Sequence, residues 1–246
     1  MPERRIAHKS FLLIGWWACL GLTIFLAAFP INVGLIRLAL VTAMPVLAAG
    51  ACVLLWSRKW LRWLPAILLV TPIGVLLAPG RGHDAENLRR RYVTALRRYE
   101  GTRYVWGGEN RFGIDCSGLV RRGLIDANLH EGIATLNPGR IRAAARLWWY
   151  DCSARALKDG YRNWTRLLFT APAINDIVPD RLLPGDIAVT SNGVHVLVYL
   201  GENQWMQADP GPGKVVRQSV PVETGRWFGT PVHLLRWGQL DDRDLE

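Results

Sequence analysis

The sequence is poor in the residues that bind metals or build a disulfide framework. Its 246 residues include four cysteines and five histidines, with no CxxC pair, no HExxH motif and no histidine cluster. Structural zinc sites and disulfide-rich secreted domains depend on such spacings. We therefore expect no metal site and no cofactor, and we look for chemistry in single nucleophilic and basic side chains.

Basic residues exceed acidic ones by 30 to 20, which gives a formal net charge of +10. The excess is uneven, because residues 1–80 hold seven basic and one acidic residue, whereas residues 81–246 hold 23 and 19. The cluster of Arg89–Arg91 with Arg97 and Arg98 indicates a solvated helix face beside anionic lipid headgroups. No recognisable nucleic-acid-binding module accompanies this cluster, so we expect no nucleic-acid partner.

Three uncharged apolar runs dominate the first third of the chain. Phe11–Phe29 and Leu38–Trp56 have 19 residues each, and Trp63–Pro79 has 17. A bilayer core of about 30 Å needs about 20 helical residues, so the first two runs are long enough and the third is marginal. A cleaved signal peptide would explain only the first run, and the third could instead lie at the interface. We predict that residues 1–80 form an all-α membrane anchor of three transmembrane helices.

The basic residues beside these runs predict the orientation of the anchor. They lie before the first run and between the second and third, and are Arg4, Arg5 and Lys9, and Arg58, Lys59 and Arg62. The first connection has only Arg37. Because positive flanks face the cytoplasm, three spans place the N-terminus inside and residues 81–246 outside. Two spans would place residues 81–246 inside.

One stretch of the second domain places a cysteine where a thiol becomes a nucleophile. Asp115-Cys116-Ser117-Gly118 follows a glycine-rich loop and precedes apolar residues at helical spacing. This pattern predicts a helix that begins at Cys116, with Asp115 as its cap. Backbone N–H groups and the helix dipole favour a thiolate there, so we expect Cys116 to ionise near neutral pH. Cys152, in a second Asp-Cys-Ser, lacks this context and is expected to react more slowly.

A histidine further along the chain has the position of a base. Gly193–Gly201 alternates as a strand, which predicts His195 on one face with Leu197 and Tyr199. The next predicted strand, around Gln204–Ala208, contains Gln207. Antiparallel pairing would bring Gln207 next to His195. We therefore predict Cys116 as nucleophile, His195 as base and Gln207 as the residue that orients the base.

These motifs, in this order, resemble the NlpC-type family of cell-wall cysteine endopeptidases. The matching residues are Tyr104-x-Trp106-Gly-Gly, Asp115-Cys116-Ser117-Gly118-Leu-Val, Pro184-Gly185-Asp186 and His195-Val-x-Val-Tyr-x-Gly201. The resemblance covers roughly residues 84–237 and implies an α+β, papain-like fold with helices packed on a small antiparallel sheet. It also implies that Tyr104, Asp115 and Ser117 bind the free amino end of a short peptide. The family most often has a histidine where Gln207 falls, so this position departs from the pattern.

The function that the resemblance implies is hydrolysis of peptidoglycan stem peptides, between γ-linked D-glutamate and a diamino acid. With the anchor, it implies a multi-pass protein of the bacterial inner membrane whose catalytic domain is periplasmic. Two alternatives stay open: a membrane-associated papain-like acyltransferase or amidase acting on a lipid or another amide, and an inactive wall-binding protein. The sequence does not predict the oligomeric state.

The spacing between the nucleophile and the base is longer than is usual in the family. Cys116 and His195 are separated by 78 residues, and the excess falls within residues 130–179. The aromatic content of this insertion and a predicted helix at Arg140–Tyr150 exclude a plain flexible linker. We expect the insertion to add to the core, with a lid or a membrane-facing surface as alternatives. At the start of the domain, a helix over His83–Tyr99 is predicted, capped by Asp84.

Overall fold

The protein is described by a computed structural model that covers residues 2–61, 63–82, 84–223 and 225–241. Several predicted features lie outside the described residues: the helix start at His83, the flanking Arg62, the side chains of Arg4, Arg5 and Lys9, and residues 242–246 of the second domain.

The described residues form seven α-helices and eight β-strands. The helices are α1 (Pro2–Ala28), α2 (Gly34–Leu55), α3 (Leu64–Leu77), α4 (Ala85–Arg97), α5 (Cys116–Ala134), α6 (Pro138–Trp149) and α7 (Ala154–Lys158). The strands are β1 (Glu109–Asn110), β2 (Gly113–Ile114), β3 (Thr165–Ala171), β4 (Ile187–Thr190), β5 (Val196–Gly201), β6 (Gln204–Asp209), β7 (Lys214–Ser219) and β8 (Val232–Trp237).

Three apolar helices come first. Two of them contain segments long and apolar enough to cross a membrane, Ser10–Ala28 with 19 residues and Gly34–Leu55 with 22, and neither is buried by the rest of the protein. Helix α3 has only 14 residues. It is shorter than the apolar run because Pro65 lies in its first turn, where proline suits a helix start, and because Ala78 is extended ahead of Pro79.

The second domain is built on a six-stranded antiparallel sheet with the order β3-β8-β4-β5-β6-β7. Both faces of its centre are covered. Val196, Val198 and Leu200 of β5 belong to a core shared with helices α4 to α7, whereas Leu197 and Tyr199 belong to a second cluster on the opposite face. Helices packed on an antiparallel sheet, after apolar N-terminal helices, confirm the predicted α+β class.

The insertion at residues 130–179 is part of the core. Helix α6 packs along α5, and Ala144, Leu147 and Leu157 are buried in the core that contains the cysteine helix. Strand β3 pairs with β8 and adds an edge to the sheet. The insertion therefore does not form a lid, although its residues 151–154 reach the cleft described below.

The connection between α1 and α2 packs directly against the second domain, which the sequence did not predict. Ile31 forms an isolated antiparallel bridge with Gly108, and the Glu109 N–H donates to the Pro30 carbonyl at 3.0 Å. This contact places the connection between α1 and α2 beside the glycine-rich loop that precedes Cys116.

Candidate active site

Cys116 is the first residue of α5, and the predicted cap by Asp115 is confirmed. One Asp115 carboxylate oxygen accepts from the Gly118 N–H at 2.6 Å and from the Ser117 hydroxyl at 2.9 Å. The other accepts from the Gly107 N–H at 2.8 Å. Asp115 thus joins the start of the cysteine helix to the loop before it and fixes where the thiol lies.

The helix approaches this loop so closely that only glycine fits at position 118. A Cβ atom there would lie 2.2 Å from the Gly108 carbonyl oxygen. This distance is shorter than any van der Waals contact, so a larger residue would push the cysteine helix away from the loop. Gly118, which follows Asp-Cys-Ser, therefore sets the position of the Cys116 thiol.

The Cys116 thiol is buried, with 7% of the residue exposed. Burial raises its pKa to about 12, and the negative charge of Asp115 acts in the same direction. The backbone of Val196, Ser117 and Cys116 itself lowers the pKa, but burial outweighs this effect. The prediction of a thiolate near neutral pH is therefore wrong for the resting protein, although the helix-start geometry behind it is present.

His195 lies immediately before β5. Its neighbour Val196 belongs to the core that contains Cys116, and the Val196 backbone lowers the pKa of the thiol. The strand was predicted to start at Gly193, but residues 190–195 close a hairpin turn in which Gly193 has a φ of +72°. The Thr190 hydroxyl accepts the His195 N–H at 3.0 Å, and the Thr190 N–H donates back to the His195 carbonyl at 3.0 Å.

Gln207 contacts the His195 ring as predicted. The His195 Nε2 lies 2.7 Å from the Gln207 Oε1, and the Gln207 Nε2 donates to the Gln218 Oε1 at 2.9 Å. Because the amide nitrogen faces Gln218, the amide oxygen faces the ring and accepts from an Nε2–H. This leaves the lone pair of the neutral imidazole on Nδ1, the nitrogen that a base needs. Gln218 lies on β7, and no motif marked it in the sequence.

An aromatic ring covers the imidazole on the other side. Trp227 stacks on His195 with ring centroids 4.1 Å apart and planes 15° from parallel. The Trp227 indole N–H donates to the Asp209 carboxylate at 3.3 Å. Burial lowers the His195 pKa to about 4, although the hydrogen bond to Gln207 and the Asp209 charge raise it. The resting imidazole is therefore neutral at pH 7.

The three residues that the resemblance implied for peptide binding share one cleft of ≈ 350 Å³ with Cys116. They are Tyr104, Asp115 and Ser117. Burial raises the pKa of Tyr104 to about 12, and the negative charge of Asp115 adds to the shift, so the phenol is a neutral donor at this end of the cleft. The backbone N–H of Tyr104 donates to the Gly213 carbonyl at 2.8 Å, which fixes the residue against the sheet.

Two further walls of the cleft had no signal in the sequence. One is the segment 151–154 of the insertion, which includes Cys152. Burial raises the pKa of Cys152 to about 11, so its thiol is also neutral at rest. The other wall comes from the connection between α1 and α2, through Ile31 and Val33.

A buried group of ion pairs connects α2 to α5, the helix that begins at Cys116. One Glu109 carboxylate oxygen forms an ion pair with Arg37 of α2, and the other forms an ion pair with Arg121 of α5, both at 2.8 Å. Arg121 also pairs with Asp151 at the cleft. The Arg37, Glu109 and Arg121 side chains are only 2 to 3% exposed. We call these four residues the ion-pair cluster.

Comparison with known proteins gives a family match. The NlpC/P60 family model matches residues 101–228, just over half of the 246-residue chain. No curated protein matches the chain. Similar solved structures include NlpC1 and NlpC2 from Trichomonas vaginalis, which are 20% and 21% identical with TM-scores of 0.41 and 0.40. Each alignment covers 65% of this chain, but the chain spans only 48% and 51% of those two proteins.

A bacterial structure is similar to the same extent. The peptidoglycan hydrolase RipB from Mycobacterium tuberculosis is 19% identical, with a TM-score of 0.38, and the alignment covers 68% of this chain and 82% of RipB. The family assignment depends on the match over residues 101–228, which includes Cys116, His195 and Gln207. The chain therefore belongs to the NlpC/P60 family.

Proposed function

We propose that this protein is a membrane-anchored cysteine endopeptidase that hydrolyses an amide bond in peptidoglycan stem peptides. The single observation that carries the proposal is the arrangement at the start of α5. There Cys116 begins the helix that Asp115 caps, and His195, which precedes Val196 of the core that also contains Cys116, has its ring oriented by Gln207. Family membership supports the proposal.

The resting site holds a neutral thiol and a neutral imidazole, so proton transfer accompanies the attack. His195 takes the thiol proton on Nδ1 as the sulfur bonds to the amide carbon and the carbonyl oxygen becomes an oxyanion. The backbone N–H groups of Cys116 and Ser117 are in the first turn of α5, where they have no acceptor within the helix, and are placed to donate to that oxyanion. The imidazolium then protonates the leaving amine as the carbon–nitrogen bond breaks, which leaves a thioester on Cys116.

Water completes the reaction. His195 removes a proton from the water molecule as its oxygen bonds to the thioester carbon, and the carbon–sulfur bond breaks. The departing thiolate takes the proton back from the imidazolium, which restores both neutral groups and releases a carboxylic acid. Gln207 keeps Nε2 protonated throughout, so Nδ1 is the nitrogen that accepts and returns each proton.

We infer that Tyr104, Asp115 and Ser117 bind the amino end of the peptide, which puts the γ-D-glutamyl–diamino acid bond over the thiol. All three line the Cys116 cleft. A carboxylate and a neutral phenol are suited to an ammonium group. Asp115 already accepts three hydrogen bonds within the protein, so its first contribution is to position the helix and its second is its charge.

We infer further that the second domain lies outside the cytoplasm. It contacts the connection between α1 and α2, and it also contacts the end of α3, where Arg142 of α6 donates to the carbonyls of Leu76 and Ala78. Both contacts are at the end of the helix bundle opposite the basic flanks, which face the cytoplasm. Three crossings place the domain on that side. Helix α3 has only 14 residues, so the bilayer thins around it or the residues at its ends extend into the headgroup layer.

The test is digestion of purified muropeptides by the full chain in lipid nanodiscs, read by mass spectrometry. Wild-type protein is expected to release a fragment with a new amino terminus on the diamino acid, and Cys116→Ala and His195→Ala to release none. Intact muropeptides with the wild type would overturn the proposal. A stable acyl group on Cys116 after incubation with a phospholipid would favour the acyltransferase alternative, and no turnover with either substrate would favour the wall-binding one.

A further inference from the structure

The cleft is bounded on one side by the membrane anchor. Ile31 and Val33, in the short connection between α1 and α2, line the same cleft as Cys116. Ile31 is held there by its bridge to Gly108, and Pro30 by accepting the Glu109 N–H at 3.0 Å. The anchor is thus part of the surface that a bound substrate touches.

This wall is fixed in place by the ion-pair cluster. Arg37 is in the first turns of α2, and its guanidinium also donates to the Trp149 carbonyl at 3.2 Å. Through Glu109 it is connected to Arg121, which is on the helix that begins with Cys116. Separating anchor and domain would break the Arg37–Glu109 pair and the contacts of Pro30 and Ile31. These contacts hold the domain against the connection between α1 and α2.

The lengths of the spans place the cleft at the membrane surface. At 1.5 Å per residue, the apolar segments Ser10–Ala28 and Gly34–Leu55 are about 29 Å and 33 Å long. These lengths match a hydrocarbon core of about 30 Å, so the connection that follows Ala28 lies in the headgroup layer. Trp106, which lines the cleft and is 81% exposed, is a residue type enriched at that depth.

We propose that anchor and domain form one composite cleft at the membrane surface, and that its substrate is a stem peptide attached to a membrane lipid. The chemistry rests on the proposed function above, and the inference adds the substrate class. A peptide on a lipid is confined to the layer in which the cleft opens, so its effective concentration at Cys116 exceeds that of a free peptide. A free peptide enters the same cleft without this gain.

The experiment uses the full chain in phospholipid vesicles and two substrates that share one stem peptide. In one substrate the peptide is attached to a lipid that inserts into the vesicle, and in the other it is free in solution. We expect the lipid-attached peptide to be cleaved about 100-fold faster at equal total concentration. Equal rates for the two would overturn the substrate class.

Variants of the wall test the composite cleft. Ile31→Ala combined with Val33→Ala is expected to lower kcat/KM on the lipid-attached peptide about 10-fold. Val178→Ala is the matched control, because Val178 is an exposed valine of the same domain that does not line the cleft, and it is expected to behave as wild type. If the wall variant also behaves as wild type, the composite cleft is wrong.

Labelling of Cys116 tests the composite cleft independently of the proposed function and the substrate class. A small maleimide is expected to label Cys116 several-fold faster in the Ile31→Ala, Val33→Ala variant than in wild type or Val178→Ala, since the truncated wall opens the cleft. Unchanged labelling overturns the composite cleft whether or not a peptide is cleaved. If wild type cleaves neither peptide, the proposed function and the substrate class both fail, while the labelling rates still decide whether the anchor forms a wall.

Discussion

The replacement Gln207→Glu tests the geometry around the base most directly. It keeps the length and shape of a side chain that is 2% exposed, but it puts a carboxylate where the amide oxygen now accepts from the His195 Nε2 at 2.7 Å. The lost donation to Gln218 is recovered if the Gln218 amide turns its nitrogen toward the new carboxylate. The main change is therefore a charge facing the imidazole.

The size of the effect follows from the two kinds of hydrogen bond. A neutral bond contributes about 0.5–1.5 kcal/mol and one to a charged group about 1.5–3 kcal/mol. The difference, about 1–2 kcal/mol, stabilises the imidazolium, and one pKa unit corresponds to about 1.4 kcal/mol. We therefore expect the His195 pKa, held at about 4 by burial, to rise by about one unit.

The assay is the pH dependence of kcat/KM on a stem peptide, measured from about pH 3.5 to 7 with the full chain in nanodiscs. Because the neutral imidazole is the active base, activity falls as pH drops through the His195 pKa. The acidic limb is expected near pH 4 for wild type and about one unit higher for Gln207→Glu. Gln204→Glu, on the same strand and not in contact with the ring, is the matched control and should leave the limb where it is.

Two results would refute the reasoning. A wild-type limb near the ordinary histidine pKa of about 6.5 would show that His195 is not buried and neutral as the structure places it. An unmoved limb in a folded, active Gln207→Glu variant would show that another group orients the imidazole. In Gln207→Ala the ring loses its acceptor in a buried place, which costs about 1–3 kcal/mol, so activity should fall roughly 10- to 100-fold without reaching the level of Cys116→Ala.

The remaining predictions concern stability, reactivity and topology. The folded pKa of His195, about 4, lies below its unfolded value of 6.5, so its stabilising contribution is complete above pH 6.5 and is lost as pH falls toward 4. The loss reaches about 3 kcal/mol, and denaturant unfolding in detergent should show it for wild type and not for His195→Gln. Glu109→Gln should destabilise the protein by about 3–5 kcal/mol, because it leaves the buried Arg37 and Arg121 guanidiniums with only the exposed carboxylate of Asp151; thermal unfolding should show no such loss in the exposed control Glu202→Gln. Iodoacetamide at pH 6 should label neither Cys116 nor Cys152 rapidly, since burial keeps both thiols neutral; fast labelling of Cys116 alone would restore the thiolate expected from the sequence. A reporter active only after export, fused after the last residue, should be active, and a stable but inactive fusion would contradict the three-span topology.

The sequence alone determined the features that depend on local rules. Asp115 before an apolar helical pattern predicts a capped helix at Cys116, and the structure places the cap there. Alternating apolar residues predict β5, the next predicted strand corresponds to β6, and antiparallel pairing of the two predicts that Gln207 meets His195. These features follow from neighbours within a few residues, where the backbone and its hydrogen bonds leave few choices.

Only the tertiary structure decided the electrostatics and the walls of the site. The helix start favours a thiolate, but whether a thiol ionises also depends on how much protein covers it, and that cover comes from segments far away in the chain. Trp227 stacks on His195, Gln218 acts on it only through Gln207, and Ile31 reaches the cleft from a segment 85 residues before Cys116. Contacts of this kind leave no periodic or local pattern, because they arise from the packing of whole elements rather than from the spacing of residues along one of them.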